Sequence, residues 1–323
     1  MPRLAVMTSG GDAPGMNAAV RAVTRTALAQ GWETYGVYHG YTGLIHADLR
    51  PLTRRAVGGI LHEAGSTLGT TRCEMLKTDS GREQALGTLR QFDIAALIII
   101  GGNGSQTGAY DLYRHGAPVI GIASTIDNDL YGTDISIGAT TAVDVALHAI
   151  NQLRATASSM ARAFLVEVMG RNCGYLALTA AIAGGAEAVV IPELDTEPES
   201  LAQELRAAYG RGKSHAIAVV AEGAKYNAAA LLRHFQEHRA RLGFELRATC
   251  LGHIQRGGAP GVFDRMLATE LGVAAVEAAR DQQFGVLVGT QSGKPCRSAL
   301  EAVAGRTKPA DLELLDLARI LSL

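Results

Sequence analysis

The sequence predicts an α/β protein with two Rossmann-like three-layer αβα lobes and mainly parallel sheets. Three observations predict it. Short apolar runs alternate with helix-period segments from the first residues to about position 258. The run Ile94-Ala95-Ala96-Leu97-Ile98-Ile99-Ile100 is apolar throughout, as in a central parallel strand covered on both faces. Two strand-to-helix junctions are rich in glycine, which suits backbone that approaches a phosphate.

In order, Leu4-Ala5-Val6-Met7 reads as a first strand and Thr8-Ser9-Gly10-Gly11-Asp12-Ala13-Pro14-Gly15 as a glycine loop. Asn17 to Gln30 follows as a helix with Ala, Val and Leu on one face. Free N–H groups and the helix dipole make such a junction an anion site, and the same residues also suit a tight turn with no ligand. Trp32 to Tyr38 alternates as a second strand, with Tyr41 just beyond it. The stretch Arg54 to Lys77 is irregular, with glycines leading to Thr71-Arg72-Cys73. Ser80-Gly81-Arg82-Glu83 fits a capping box opening a helix to about Gln91.

The 94–100 strand runs into Gly101-Gly102-Asn103-Gly104-Ser105, the second glycine junction. Neither glycine loop is a Walker A motif, since no Gly-Lys-Ser/Thr follows, and neither is a full G-x-G-x-x-G. Pro118 to Ala123 is a buried strand that delivers Ser124-Thr125-Ile126-Asp127-Asn128-Asp129. In extended chain Asp127 and Asp129 face the same side, one suited to accept a proton and one to hold a hard cation. An Asx-turn capping the next helix is the other reading.

The αβ rhythm continues. Thr140 to Arg154 is helical, and Ala163 to Val168 is a strand leading to Met169-Gly170-Arg171-Asn172-Cys173-Gly174. Tyr175 to Ala183 is a helix, Glu187 to Ile191 a strand, and Thr196 with Glu199 starts another capped helix. Ala216 to Ala221 delivers Glu222. After a basic helix, the strand Leu246 to Leu251 leads to Gly252-His253-Ile254-Gln255-Arg256-Gly257-Gly258. His253 and Arg256, three apart, would share a face on a helical turn and clamp a phosphate.

Composition excludes several classes. At 323 residues, 47% hydrophobic and 19% charged, the chain is a well-buried globular protein with room for two domains. A formal net charge of −1 implies no polyanion affinity, so nucleic acid is not an expected partner. No apolar run approaches a membrane span, so no membrane association is expected, and the start has no signal-peptide layout. Cys73, Cys173, Cys250 and Cys296 match no zinc spacing and read as free thiols in a reducing cytoplasm.

The motifs Thr8 to Asn17, Thr125 to Asp129, Glu167-Val168-Met169-Gly170-Arg171 and Gly252 to Gly258 resemble those of the bacterial 6-phosphofructokinase family, over the whole chain. The resemblance implies the phosphofructokinase fold, with 1–138 plus about 252–300 as the nucleotide lobe and 139–251 plus about 301–323 as the sugar-phosphate lobe. It implies transfer of the ATP γ-phosphoryl group to the 1-hydroxyl of fructose 6-phosphate, with Mg²⁺. Asp127 would be the base, with Thr125, Arg72, Gly11 and Arg171 also catalytic. Gly11, Tyr41, Arg72, Cys73, Gly102, Asn103, Gly104 and Ser105 match nucleotide positions. Thr125, Ile126, Asp127, Met169, Gly170, Arg171, Glu222, His253 and Arg256 match sugar-phosphate positions, and Arg162 and Arg247 match residues lent by a neighbouring subunit of a homotetramer. Asn103 and Asp129 match the metal site. Arg21, Arg25, Arg54, Arg154, Gly185, Glu187, Arg211 and Lys213 match the allosteric pocket for ADP or phosphoenolpyruvate, where Ser214 replaces a common lysine.

Two departures carry functional alternatives. Asn103 stands where the family has Asp, which keeps a weakly catalytic regulatory paralogue in view. Ser124 stands where ATP users have Gly and pyrophosphate users Lys, although Gly104 is the ATP-type residue.

Overall fold

The computed structural model describes residues 1–160, 162–238 and 244–322. The chain divides into two units: Met1–Thr141 with Arg256–Thr307, and Ala142–Gln255 with Lys308–Leu323. Each division falls later than the sequence reading put it. Hydrogen bonds account for two of these places: the Thr141 hydroxyl donates to Asp264 in the first unit, and Gln255 bonds to Met169 and Ala142 in the second.

The first unit contains β1 (Arg3–Thr8), α1 (Met16–Ala29), β2 (Glu33–Val37), α2 (Gly40–Ile45), β3 (Leu49–Pro51), α3 (Asp79–Gln91), β4 (Ile94–Gly101), α4 (Asn103–Arg114) and β5 (Val119–Ala123). In the second lie most of α5 (Ala139–Met160), then β6 (Ala163–Val168), α6 (Tyr175–Gly184), β7 (Ala188–Val190), α7 (Pro198–Gly210), β8 (Ala216–Ala221), α8 (Ala228–Glu237) and β9 (Leu246–Cys250). The chain returns to the first unit for α9 (Val262–Arg280), β10 (Val286–Gln291), β11 (Lys294–Ala299) and α10 (Leu300–Val303), and ends with α11 (Glu313–Ser322) in the second.

The first sheet has seven strands in the order β11-β10-β5-β4-β1-β2-β3. Its pairs are parallel except at the two edges, β10 with β11 and β2 with β3. Alternate residues of β1 and β4 serve opposite faces. Ala5, Met7, Leu97 and Ile99 join one core with Leu44, Leu89 and Leu112. Leu4, Val6, Ile98 and Ile100, on the other face, are fully buried as well. On α9, Gly272 lies against α1, and a Cβ there would meet the Ala22 Cβ at 2.7 Å. Any side chain at this position would force the helices apart.

The order reverses between β1 and β4: β2 lies to one side of β1, and β4 to the other. In a doubly wound sheet the crevice beyond the carboxyl ends of strands at such a reversal is where ligands bind. The two glycine loops leave β1 and β4.

The second sheet, β7-β8-β6-β9, is parallel throughout. Its core joins Leu165, Val190, Val220, Leu201, Leu205, Leu231 and Phe235. Here the reversal lies at β6, between β8 and β9.

Two helix starts differ from the sequence reading. Thr78 caps α3, its hydroxyl accepting from the Gly81 N–H, so Ser80 lies inside the helix and the expected box does not form. Helix α7 starts at Pro198, after Glu197, with no side-chain cap. Proline at the first helical position has no N–H to leave unpaired, which makes the Thr196–Glu199 box unnecessary.

Candidate active site

In the first unit the β1 exit is tied down from several directions. The Ser9 N–H donates to Ile100 O, the Thr8 hydroxyl to Gly69 O, and Thr70 to Gly10 O. Gly10 has φ +85°, a conformation that favours glycine. Asn17 is buried and fixes the 63–67 loop, donating to Glu63 O and Gly65 O and accepting from the Thr67 N–H.

Arg256 belongs to this loop. Its Nη1 donates to Asp12 O at 2.6 Å, and a Cβ on Gly11 would meet that nitrogen at 2.7 Å. The sequence reading set Arg256 with His253 on a sugar phosphate. In the structure its guanidinium lies on the glycine loop, because the Asp12 carbonyl is its hydrogen-bond acceptor. His253 is exposed in the same 3-10 turn, Gly252–Arg256.

Beyond β4, Gly102 leads into α4, and Asn103–Ser105, expected as loop, form its first turn, whose N–H groups have no partners within the helix. A Cβ on Gly101 would collide with the Ser105 side chain and Ser9 O, so this turn tolerates only glycine. At Gly104 a Cβ would meet nothing within 4 Å; the protein does not fill that space. Tyr41, expected on the nucleotide, is 4% exposed, and its hydroxyl donates to Ser105 O at 2.5 Å. Burial pushes its phenol well above the ordinary value, so it stays a neutral donor. Its structural part is to fix the loop. Cys73 packs on the same core, while Arg72 is exposed and has no hydrogen-bond or ion-pair partner among the described residues.

The β5 exit reaches the β4 loop. A Cβ on Gly102 would lie 3.2 Å from the Thr125 Cβ and 3.6 Å from its hydroxyl oxygen. The chain turns at Ile126–Asp127, and Asn128 has φ +49°. The extended geometry expected to align Asp127 and Asp129 is therefore absent. Asn128 causes the turn: its side chain accepts from the Ser136 N–H and donates to Asp134 O. Asp127 and Asp129 are both half-buried. Ser124 is fully buried, its hydroxyl donating to Ile137 O.

Asn103 connects the two loops, its Nδ2 donating to Asp129 O at 3.3 Å. Its Oδ1 is buried and has no partner among the described residues. A carbonyl oxygen left over beside a phosphate-type loop fits a hard cation such as Mg²⁺. No group of three or more His, Cys, Asp or Glu among the described residues is placed to hold a metal ion.

In the second unit, Met169, Gly170 and Arg171 follow β6, and Glu222 follows β8. The Glu222 N–H donates to Val168 O, and the Gly223 N–H to Gly170 O. A Cβ on Gly223 would strike the Arg171 backbone, so the two loops touch through glycine. Arg171 is exposed and Met169 buried. Sequence reasoning missed the residue that holds them. Gln255 is 0% exposed; its Oε1 accepts from the Met169 N–H at 2.7 Å and its Nε2 donates to Ala142 O at 3.4 Å. Residue type points the wrong way here, since the polar Gln255 is buried and its apolar neighbour Ile254 is exposed.

Arg162 and Arg247 converge within their own chain on Glu245: Arg162 Nε lies 2.9 Å from Oε2, and Arg247 bonds Oε1. Arg162 lies just before β6, and Arg247 stands on β9, the edge strand of this sheet. Of the expected effector residues of the second unit, Glu187 pairs with Lys213 and Arg154 with the Gly185 backbone. Glu187 is buried, accepting from Lys213 Nζ and the Ile217 N–H. Arg154 donates to Gly184 O and Gly185 O, and Arg211 is exposed. Arg21, Arg25 and Arg54 belong to the first unit, where Arg21 Nε is buried without a partner among the described residues. Asp264, also missed, is fully buried and accepts from the Gly138 N–H, the Thr141 N–H and the Thr141 hydroxyl at the start of α5.

Two doubly wound sheets with glycine loops and polar side chains beyond the carboxyl ends of their strands define a phosphate-binding α/β protein. The phosphofructokinase family model matches residues 3–279, and the chain belongs to that family. It is 45% identical to an ATP-dependent 6-phosphofructokinase of Halalkalibacterium halodurans and 47% identical to those of Thermotoga neapolitana and Thermus thermophilus, over the full length of both chains each time. A phosphofructokinase structure from Saccharomyces cerevisiae superposes with a TM-score of 0.86 at 37% identity, over 99% of this chain and 46% of the yeast chain. A pyrophosphate-dependent phosphofructokinase from Marinobacter aquaeolei gives a TM-score of 0.86 at 23% identity over 97% of this chain and 86% of its own, a likeness of fold alone.

Proposed function

We propose that the chain transfers the γ-phosphoryl group of ATP to the 1-hydroxyl of fructose 6-phosphate, in the cytoplasm. The observation that carries this reading is that Gly102, just before α4, lies against the Thr125–Asp127 turn, where a Cβ built on it would stand 3.2 Å from the Thr125 Cβ. Donor phosphates held by the N–H groups of the first turn of α4 and a hydroxyl activated at Asp127 then meet in one place. Phosphoryl transfer needs such positioning and charge neutralisation more than covalent help.

Asp127 accepts the hydroxyl proton, Thr125 touches the group in flight, and Gly11 offers its N–H to the γ-phosphate. Arg72, exposed and without a partner among the described residues, swings onto the developing charge. Arg171, Glu222 and His253 orient the sugar phosphate, with Met169 and Gly170 shaping their loop. Mg²⁺ bound to the nucleotide supplies charge neutralisation between the phosphates, with Asn103 Oδ1 and Asp129 as the side chains that would hold it. Arg162 and Arg247 serve a neighbouring copy's sugar phosphate in a homotetramer, on exchanging Glu245 for that ligand. ADP or phosphoenolpyruvate binds the basic residues Arg21, Arg25, Arg54, Arg154, Arg211 and Lys213 as an allosteric effector.

The pyrophosphate reading rested on Ser124. Its hydroxyl is fully buried and engaged with Ile137 O, which favours ATP, as does the open space at Gly104. The reading is tested by following fructose 1,6-bisphosphate formation by purified chain from fructose 6-phosphate and Mg²⁺, with ATP or with pyrophosphate. Turnover with ATP alone is expected. Turnover with pyrophosphate alone, or with neither donor, overturns it.

A further inference from the structure

The last turn of α8 carries the run His234-Phe235-Gln236-Glu237-His238. Its two histidines are four apart, so they lie on one face of the helix. Their rings are stacked, with centroids 4.4 Å apart and planes at 26°. Phe235, between them in sequence, points the other way into the core and is 3% exposed. His238 ends the helix: its backbone N–H and its ring Nδ1 both meet His234 O, the ring at 2.8 Å.

That last contact has two consequences. As a helix-end feature it satisfies a terminal carbonyl. It also sets the tautomer of His238, because Nδ1 must carry the proton to donate, which leaves Nε2 with its lone pair outward. A ring nitrogen fixed by a backbone carbonyl on its far side is how metal-ligating histidines are usually oriented. The ring nitrogens of His234 have no hydrogen-bond partner among the described residues.

We propose that His234 and His238 form a two-imidazole site for a divalent transition-metal ion of the zinc, nickel and copper class, separate from the magnesium-nucleotide chemistry above. Two nitrogens each about 2.0–2.1 Å from a tetrahedral ion stand about 3.4 Å apart. The rings are stacked with centroids 4.4 Å apart, so their in-plane lone pairs now lie side by side; the His234 ring, with no hydrogen bond among the described residues to hold it, must turn out of the stack to bring a nitrogen toward the ion on His238 Nε2. Imidazole nitrogen selects this class, whereas Mg²⁺ takes oxygen ligands. With no third His, Cys, Asp or Glu placed to join them among the described residues, water fills the remaining positions. This is an open chelate on the helix surface and not a catalytic centre.

The test uses untagged full-length chain and Zn²⁺ itself, titrated calorimetrically with Mg²⁺ present throughout. His234→Ala and His238→Ala should each weaken this Zn²⁺ binding about tenfold or more, the scale on which even outer-sphere partners of a metal act. His148→Ala, at an exposed histidine on α5, should leave it unchanged. The double variant separates a chelate from two independent imidazoles. Once one ligand is gone the chelate is gone, so the double variant should lose little beyond either single one. Additive losses, or unchanged binding in either single variant, would overturn the proposal. Alanine suits a helix interior, and far-UV circular dichroism with retained kinase turnover verifies that the variants are folded.

Discussion

Asn103 is the residue whose chemistry the structure sharpens most. Its Oδ1 is buried without a partner among the described residues, while its amide nitrogen leans on Asp129 O. An amide oxygen ligates Mg²⁺ but adds no charge, so Asn103→Asp should lower the magnesium needed for half-maximal rate and leave fructose 6-phosphate binding nearly unchanged. An unchanged magnesium dependence would remove this residue from the metal's surroundings. Gln255 makes a second prediction. Gln255→Leu strips the acceptor from a buried Met169 N–H, which costs about 1–3 kcal/mol for the orphaned group. It should raise KM for fructose 6-phosphate more than KM for ATP, because the loop it holds carries Arg171. Equal changes in both constants would reduce Gln255 to a general stabiliser.

At the scale of elements, α3 and α5 show how the ends of helices are held. Thr78→Ala removes the α3 cap and should cost about 1 kcal/mol of stability in denaturant unfolding. Ser80→Ala, inside the helix, should cost almost nothing. A larger loss at Ser80 would restore the capping box that the sequence suggested. Most interior strands were legible from their apolar runs; Ala163–Val168 and Ala216–Ala221 begin and end where their composition changes. The hairpin β10–β11 was not legible: Ser292 and Gly293 form a two-residue turn with both φ positive, but the flanking Val286–Gln291 and Lys294–Ala299 do not alternate in sequence. The site was legible as motifs and not as contacts. Glycine loops announce themselves by composition. Nothing local says that Tyr41 is buried under Ser105, that Arg256 reaches back to Asp12, or that Arg162 and Arg247 share Glu245. Those are long-range choices made by packing and by the hydrogen-bonding needs of buried carbonyls.

For the molecule as a whole, the reading places donor chemistry in the first unit and sugar-phosphate loops in the second, and it requires a neighbouring copy to complete each site. Arg162→Ser should be nearly inactive alone. Mixed oligomers of Arg162→Ser with Asp127→Ser should recover part of the activity, since some sites then combine a sound base with a sound arginine. No recovery in verified mixed oligomers would count against shared sites. Regulation is tested in the same protein. Arg25→Ala on α1 should blunt the response to ADP or phosphoenolpyruvate while leaving the maximal rate near that of the parent chain, because its charge lies on the helix face and away from the glycine loops.

The central claim is that Asp127 takes the proton from the sugar hydroxyl as the ATP γ-phosphoryl group is transferred. The most direct measurement compares Asp127→Ser with the parent chain in steady-state turnover and in binding of each substrate. General-base catalysis is worth about 10²–10⁴-fold, so turnover should fall by at least that much while both substrates still bind with affinities close to those of the parent chain. Turnover close to that of the parent chain, with binding intact, would contradict the account.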